Sequence, residues 1–293
     1  MVVPIHFQRY SAVHRYMPIF AIFRLLWRLL GLSAKYKTHH KRSAKDLDAP
    51  RQLTGSRAAI EAVLNEYKRG RYQAALEASE ALKQDGKPTG TYYFFQGLML
   101  RFLEKFEASE SNLRKCAEIQ TEAKQLALIY SSLGNLMLDQ GRPDEAIPLF
   151  QTSLTHWPER GSSHRDMAEA YLVLGDAEEA LQWGRLAVDK ENSDMAMPED
   201  VRNLNLGEDL ATLALAVAST GGDASNVEQL VRQAVAAVGE NVIPSIAQVH
   251  THSGVAYAVA GETEKSLRHL QIAAAIDADG LWGRRAKGLM AEV

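Results

Sequence analysis

The sequence contains a single cysteine, Cys116, among its 293 residues. One cysteine excludes a disulfide within the chain and any metal site built from several thiolates. This usage is compatible with a reducing compartment. The nine histidines show no HExxH or paired Cys-His spacing, and no GxSxG or glycine-rich phosphate loop occurs. We therefore expect a protein that is not an enzyme and that uses no metal and no cofactor.

Two kinds of apolar segment are also missing. No alternating apolar–polar run bounded by turn residues is present, so β-strands are not expected. No run of about 20 apolar residues occurs, which is the length that a simple membrane-spanning helix needs. The apolar run at 17–32 is shorter and contains Arg24 and Arg28. The chain is therefore predicted to be all-α.

Small residues, glycine turns and alanines recur instead along most of the chain. In the clearest unit, Gly134, Gly141 and Ala146 are followed 34 positions later by Ala168, Gly175 and Ala180. A small residue lets two helices approach closely, and glycine ends a helix in the left-handed conformation at low cost. The spacing therefore predicts stacked helical hairpins whose apolar faces are buried only by their neighbours.

This pattern resembles the tetratricopeptide repeat, a helix-turn-helix unit of about 34 residues. The resemblance implies a right-handed α-solenoid of about six such repeats, with a C-terminal capping helix and an N-terminal amphipathic or hydrophobic helix. The predicted repeats are 56–89, 90–123, 127–160, 161–194, 207–241 and 247–280, and the cap is 281–293. Residues 46–55 are predicted to be a linker, and 195–206 a loop leading into a helix extension. The function implied is that of a scaffold or adaptor that binds a protein or peptide in its concave groove.

The charges are divided between two parts of the chain. Residues 1–45 hold nine Lys or Arg and no Asp or Glu, which leaves 24 basic and 36 acidic residues in 46–293, a net charge of −12. The sequence is therefore a basic arm attached to an acidic repeat array.

An interfacial helix is predicted in the arm at 17–32, because cationic and aromatic side chains fall on different sides at helical spacing. Basic residues after this helix add attraction to anionic lipids. The predicted membrane-contact residues are Phe20, Phe23, Arg24, Trp27, Arg28, Lys35, Lys37, Lys41 and Arg42. Either a spanning or an interfacial helix places the repeats on the cytoplasmic side of a membrane.

Other interpretations of the arm stay open. It is also compatible with a targeting peptide on a soluble repeat protein, with a helix that packs on the solenoid, or with translation from Met17. Binding of nucleic acid or another anionic polymer is the alternative from a different function class, because Lys and Arg clusters attract phosphates. The sequence identifies no specific nucleic acid, no particular partner and no oligomeric state, and a homo-oligomer is an open alternative.

The resemblance places the first helix of each repeat along the concave groove. The residues expected to contact a partner there are Tyr67, Lys68, Phe94, Leu98, Arg101, Phe102, Asn135, Asp139, Arg165 and Glu169. Family members that hold chaperone C-termini use a Lys-Asn, Asn, Lys-Arg carboxylate clamp. In this chain Asn135 matches one clamp position, but Ser131 and Asp166 occupy positions that require other side chains. A chaperone co-factor of that type is therefore not expected.

Overall fold

The computed structural model describes residues 52–293 except 196 and 279, and side chains from residue 57 onward except those of 196, 279 and 281. This part of the chain forms thirteen α-helices and no β-strand, apart from an isolated bridge between Gln84 and Lys87. The helices are α1 Gln52–Lys68, α2 Tyr72–Ala78, α3 Gly90–Phe102, α4 Phe106–Ile119, α5 Ala123–Asp139, α6 Pro143–His156, α7 Gly161–Leu174, α8 Ala177–Ser193, α9 Glu199–Ser219, α10 Ala224–Val238, α11 Ile243–Val259, α12 Thr263–Ile276 and α13 Leu281–Met290. The predicted arm 1–45 and its helix 17–32 lie outside the described residues.

Consecutive helices pair into six hairpins, α1–α2 through α11–α12, and α13 packs on the last of them. Each first helix also contacts the first helix of the next hairpin from α3 onward, so the hairpins stack in one direction. The predicted all-α solenoid of six hairpins with a C-terminal cap is confirmed. A short 3₁₀ turn, Ser79–Leu82, completes the second helix of the first hairpin.

Glycine turns end the first helices, as the sequence predicts. The turn after four of the first helices contains a glycine with a positive φ: 70° at Gly70, 71° at Gly141, 82° at Gly175 and 80° at Gly261. Only glycine adopts this left-handed conformation without a steric penalty. These four turns therefore reverse the chain between the two helices of their hairpins.

Close helix packing explains the small residues of the repeat. A Cβ atom added to Gly134 would lie 2.3 Å from Cε1 of Phe150, and one added to Gly254 would lie 2.7 Å from Cγ of Leu270. Gly97 meets Leu113 in the same way, at 2.7 Å. The small residue of each first helix thus receives a large apolar side chain from the second helix.

The fifth hairpin begins before residue 207, where its predicted repeat starts. Its first helix, α9, begins at Glu199 and includes most of the segment 195–206. Pro198 precedes the helix with φ −54°, and Glu199 and Asp200 complement the positive end of the helix dipole in its first turn. Between α8 and α9 the described residues 194, 195, 197 and 198 are not helical.

The array has an inner layer of first helices and an outer layer of second helices. Residues 161–170 of α7 are all buried, whereas α8 exposes one face to solvent. The cap helix approaches the beginning of the array: Nη2 of Arg284 lies 3.8 Å from Oε1 of Glu104, in the turn of the second hairpin. Gly70 adjoins Asp277, since an added Cβ would lie 2.9 Å from Oδ1. The cap therefore lies close to the first two hairpins.

Candidate partner-binding face

A series of buried polar residues connects the inner helices from α3 to α11. We call it the polar ladder; it consists of Arg101, Ser131, Asn135, Asp139, Arg165, Asp166, Glu169, Glu208, Asp209, Thr212 and Ser245. Each of these side chains is at most 3% exposed. Burying so many charged groups is costly unless they are paired. The charged members of the ladder are therefore expected to have partners on neighbouring helices.

The ladder begins with an ion pair between α3 and α5. Arg101 binds Asp139 through two hydrogen bonds, one from Nε and one from Nη2, the latter at 3.1 Å from Oδ1. This fork geometry is the strongest arrangement available to an arginine and a carboxylate. Burial raises the pKa of Asp139 to about 6 despite the opposing effect of Arg101.

The next contact joins α5 to α7. Ser131 donates a hydrogen bond to Asp166, and Arg160, just before α7, lies 4.0 Å from the same carboxylate. Asn135 is one turn after Ser131 and is fully buried. Among the described residues neither amide atom of Asn135 makes a hydrogen bond of acceptable geometry. Burial raises the pKa of Asp166, and the Asn135 amide, like Arg160 and Arg165, acts in the opposite direction.

Arg165 is the centre of the ladder. Its Nη1 lies 2.5 Å from Oδ1 of Asp209, and its Nη2 lies 3.1 Å from Oε2 of Glu208, both on α9. Burial alone would lower the pKa of this guanidinium, but the surrounding carboxylates raise it above its usual range. Arg165 is therefore always charged.

Hydrogen bonds extend the ladder through α9 to α11. Thr212 donates to Oε1 of Glu169 at 3.0 Å, and Ser245 donates to Oε1 of Glu208 at 2.7 Å. Burial raises the pKa of Glu208 to about 7, while Arg165 and Ser245 act in the opposite direction. Burial likewise raises the pKa of Glu169 well above its usual value.

The structure places the ten predicted groove residues in three environments. Tyr67, Phe94, Leu98 and Phe102 belong to the main apolar core, where the rings of Tyr67 and Phe102 lie 5.6 Å apart. Lys68 is only partly buried at the end of α1. The other five, Arg101, Asn135, Asp139, Arg165 and Glu169, are brought together in the polar ladder. That any of the ten binds a partner stays a prediction.

Sequence reasoning missed part of the ladder, in particular Glu208, Asp209, Thr212 and Ser245. The available signal is the pair of adjacent acids at 208 and 209 at the start of an otherwise apolar stretch, LATLALAVA. Two charges inside a buried helix require partners, and Arg165 on the preceding inner helix supplies one. The Ser131–Asp166 contact also accounts for the two residues that depart from the clamp pattern.

The comparisons with known proteins agree with this architecture. A family model described as tetratricopeptide repeat matches residues 132–195. Residues 132–195 are thus similar to tetratricopeptide repeats, and the described chain has the fold of a tetratricopeptide-repeat solenoid. Proteins of this kind typically mediate protein–protein interaction. Among curated proteins, none matches the chain.

Solved structures resemble this chain in fold. A thermophilic TPR protein from Thermus thermophilus has 16% identity and a TM-score of 0.52, covering 69% of this chain and 99% of that chain. A chain of the APC/C hetero-tetramer Cut9-Hcn1 has 13% identity and a TM-score of 0.57. The match covers 99% of this chain but 48% of that one, so the present chain spans about half its length.

Two other features of the described residues bear on function. They contain no group of three or more His, Cys, Asp or Glu side chains placed to hold a metal ion. Within residues 52–293, apart from 196 and 279, no helix has the length and hydrophobicity required to cross a membrane.

Cys116 is buried, its thiol donates to the carbonyl of Gly90 at 3.2 Å, and burial raises its pKa to about 12.

Proposed function

We propose that this chain is a non-enzymatic scaffold that binds a protein or peptide segment along its polar ladder. The observation that carries the proposal is the buried amide of Asn135: among the described residues neither its oxygen nor its nitrogen makes a hydrogen bond of good geometry, although the amide interacts with the Asp166 carboxylate. A buried polar group without a partner costs about 1–3 kcal/mol. The amide and carbonyl of a bound peptide backbone would satisfy both atoms at once.

Further ladder atoms support the same role. Oδ1 of Asp166 and Oε2 of Glu169 also have no hydrogen bond within the described part of the chain. Both belong to α7, the inner helix that follows the one carrying Asn135. A peptide along the inner layer would therefore meet hydrogen-bonding groups on two successive repeats. Because the inner layer is buried, binding requires the cap to move away from the first two hairpins, and the Glu104–Arg284 pair between the cap and the second hairpin is half-exposed and weak.

The test is a peptide-array experiment with the full chain, comparing the wild type with Asn135→Ala. We expect Asn135→Ala to lose binding by at least tenfold while its unfolding midpoint stays within a few degrees, because the amide makes no hydrogen bond that folding requires. Asn112→Ala is the matched control, since Asn112 lies on the outer helix α4 and bonds only within that helix. Equal binding by both variants would contradict the proposal.

We further propose that residues 17–45 hold the scaffold at the cytoplasmic surface of an anionic membrane. The support is the sequence of the arm: two arginines and several aromatic residues at helical spacing, followed by five basic residues. One amphipathic helix together with a basic cluster supplies the two signals that stable peripheral binding requires.

Vesicle flotation of the full chain tests the membrane proposal. With phosphatidylserine-containing vesicles, Phe23→Ser combined with Trp27→Ser should leave the protein at the bottom of the gradient, because the apolar face is removed while every charge is kept. Tyr16→Ser, outside the apolar run, should float like the wild type. If the double variant floats equally well, the arm does not anchor the protein through its apolar face.

A further inference from the structure

An open groove lies between the outer helices α10 and α12, and none of its residues belongs to the polar ladder. Its volume is about 500 Å³, within the range of roughly 300–1,000 Å³ that is typical of small-molecule sites. The walls are mostly apolar and include Val231, Val235 and Ile272. His250 and Tyr257 of α11, both buried, line its deeper part. The fifth and sixth hairpins thus form a second concave site, separate from the inner layer.

Two imidazoles supply a polar group inside this groove. Nδ1 of His250 lies 3.1 Å from Nδ1 of His269, so one ring donates its Nδ1 hydrogen to the other. Burial lowers the pKa of both rings, that of His269 to about 4, and both are therefore neutral near pH 7. The ring that accepts at Nδ1 must then carry its hydrogen on Nε2. This Nε2–H donor makes no hydrogen bond to any described residue.

The charges at the rim leave one cation without a partner. Glu228 binds two of the three rim cations, Arg232 at 2.5 Å and Lys265 at 2.9 Å. Lys265 also lies 3.5 Å from Glu262. Arg268 is exposed and makes no ion pair or hydrogen bond within the part of the chain that the structure describes. Its guanidinium follows His269 in the effects that lower the pKa of that ring, after burial and His250, which shows that the two side chains are close.

We propose that this groove binds a small organic acid, a carboxylate joined to an apolar group. The carboxylate accepts hydrogen bonds from the Arg268 guanidinium and from the free Nε2–H of the histidine pair. Bonds of this kind to an ionised acceptor are roughly twice as strong as neutral ones. The apolar group lies against Val231, Val235 and Ile272, where it is removed from water.

Other ligand chemistries fit the groove less well. Paired imidazoles also suit a transition-metal ion, but the positive charge of Arg268 beside His269 opposes the binding of a second cation. Inorganic phosphate would leave the apolar walls in water and would find only one unpaired cation at the rim. An uncharged apolar molecule would leave the guanidinium of Arg268 unused.

The test is a titration of the full chain with 3-phenylpropionate, followed by saturation-transfer difference NMR. The acid should bind about tenfold more tightly than 3-phenylpropionamide, which has the same apolar group without the charge. Arg268→Gln should weaken binding of the acid by about tenfold and leave binding of the amide nearly unchanged. Arg185→Gln is the matched control, because Arg185 is an exposed arginine of the outer helix α8 that lies outside this groove.

A second variant tests the apolar walls. Ala236→Phe fills the groove from α10 and should abolish binding of both probes. Ala108→Phe, at an exposed position of the outer helix α4, should bind like the wild type.

Absence of binding at about 10 mM acid would overturn the proposal. So would equal affinity for the acid and the amide, equal binding by Arg268→Gln and Arg185→Gln, or binding of inorganic phosphate as tight as that of the acid. The groove shares no residue with the polar ladder, so each of these results leaves the effect of Asn135→Ala on peptide binding as a separate question.

Discussion

Whether a residue of this protein tolerates a substitution depends on the atoms that face it, and not only on its residue type. Gly134 and Gly288 are both helical glycines, but a Cβ on Gly134 would meet the Phe150 ring, whereas one on Gly288 would meet nothing within 4 Å. By the repeat spacing alone, both glycines occupy the small-residue position of a first helix. The structure separates them because one faces a partner helix and the other does not.

Substitution of these glycines by alanine tests this distinction. Gly134→Ala should lower the free energy of unfolding by about 1–3 kcal/mol, because the Phe150 ring has to move in a packed core. Gly288→Ala should leave it unchanged or raise it by up to about 1 kcal/mol, since alanine favours the helix and has space. Urea denaturation of both variants checks the result, and equal destabilisation would argue against the close contact between α5 and α6 at Gly134.

The raised pKa of Glu208 predicts a pH dependence of stability. Between its ordinary value of 4.5 and its native value of about 7, the folded chain keeps a proton that the unfolded chain has lost. The free energy of unfolding contributed by this group is therefore present in full below about pH 4.5 and falls as the pH rises through 7. Glu208→Gln should remove this decline, which we expect to be on the order of 1–3 kcal/mol between pH 5 and 8. Parallel stability curves for wild type and variant would be inconsistent with a protonated Glu208.

At the scale of the helical elements, local signals are sufficient to identify most hairpins. Gly141 and Gly175 mark turns, and Ala146 and Ala180 mark the close approach of second helices, so the spacing alone locates these helices. The start of α9 is harder to predict because Pro198 suggests a longer loop. Proline is tolerated beside a helix start, and here it directly precedes one.

The cap helix α13 depends on one carboxylate. Asp277 accepts hydrogen bonds from the backbone nitrogens of Trp282 and Gly283, at 2.9 and 3.3 Å, and is buried. Asp277→Ala should cost about 1–2 kcal/mol and accelerate amide hydrogen exchange in α13. Asp223→Ala, which removes an exposed cap of α10, should cost less and leave exchange in α13 unchanged. Slow exchange in α13 of Asp277→Ala would show that the cap is held by other contacts.

At the scale of the whole molecule, the polar ladder and the meeting of the two ends could not be predicted from the sequence. Arg165 and Asp209 are 44 positions apart, and no local pattern indicates that they face each other. The approach of Arg284 to Glu104 depends on the small rotation between neighbouring hairpins, summed over all six. Five of the ten residues expected to line the groove are members of a buried ionic and hydrogen-bonded layer.

The central claim is that this inner layer is polar because it binds a partner, and that folding does not require its unpaired groups. The most direct measurement is the free energy of unfolding of Asn135→Leu, which replaces a buried amide by an apolar side chain of similar size. If the amide serves binding, the variant should be as stable as the wild type or more stable. A loss of about 2 kcal/mol or more would show that Asn135 has a structural role within the chain and would contradict this claim.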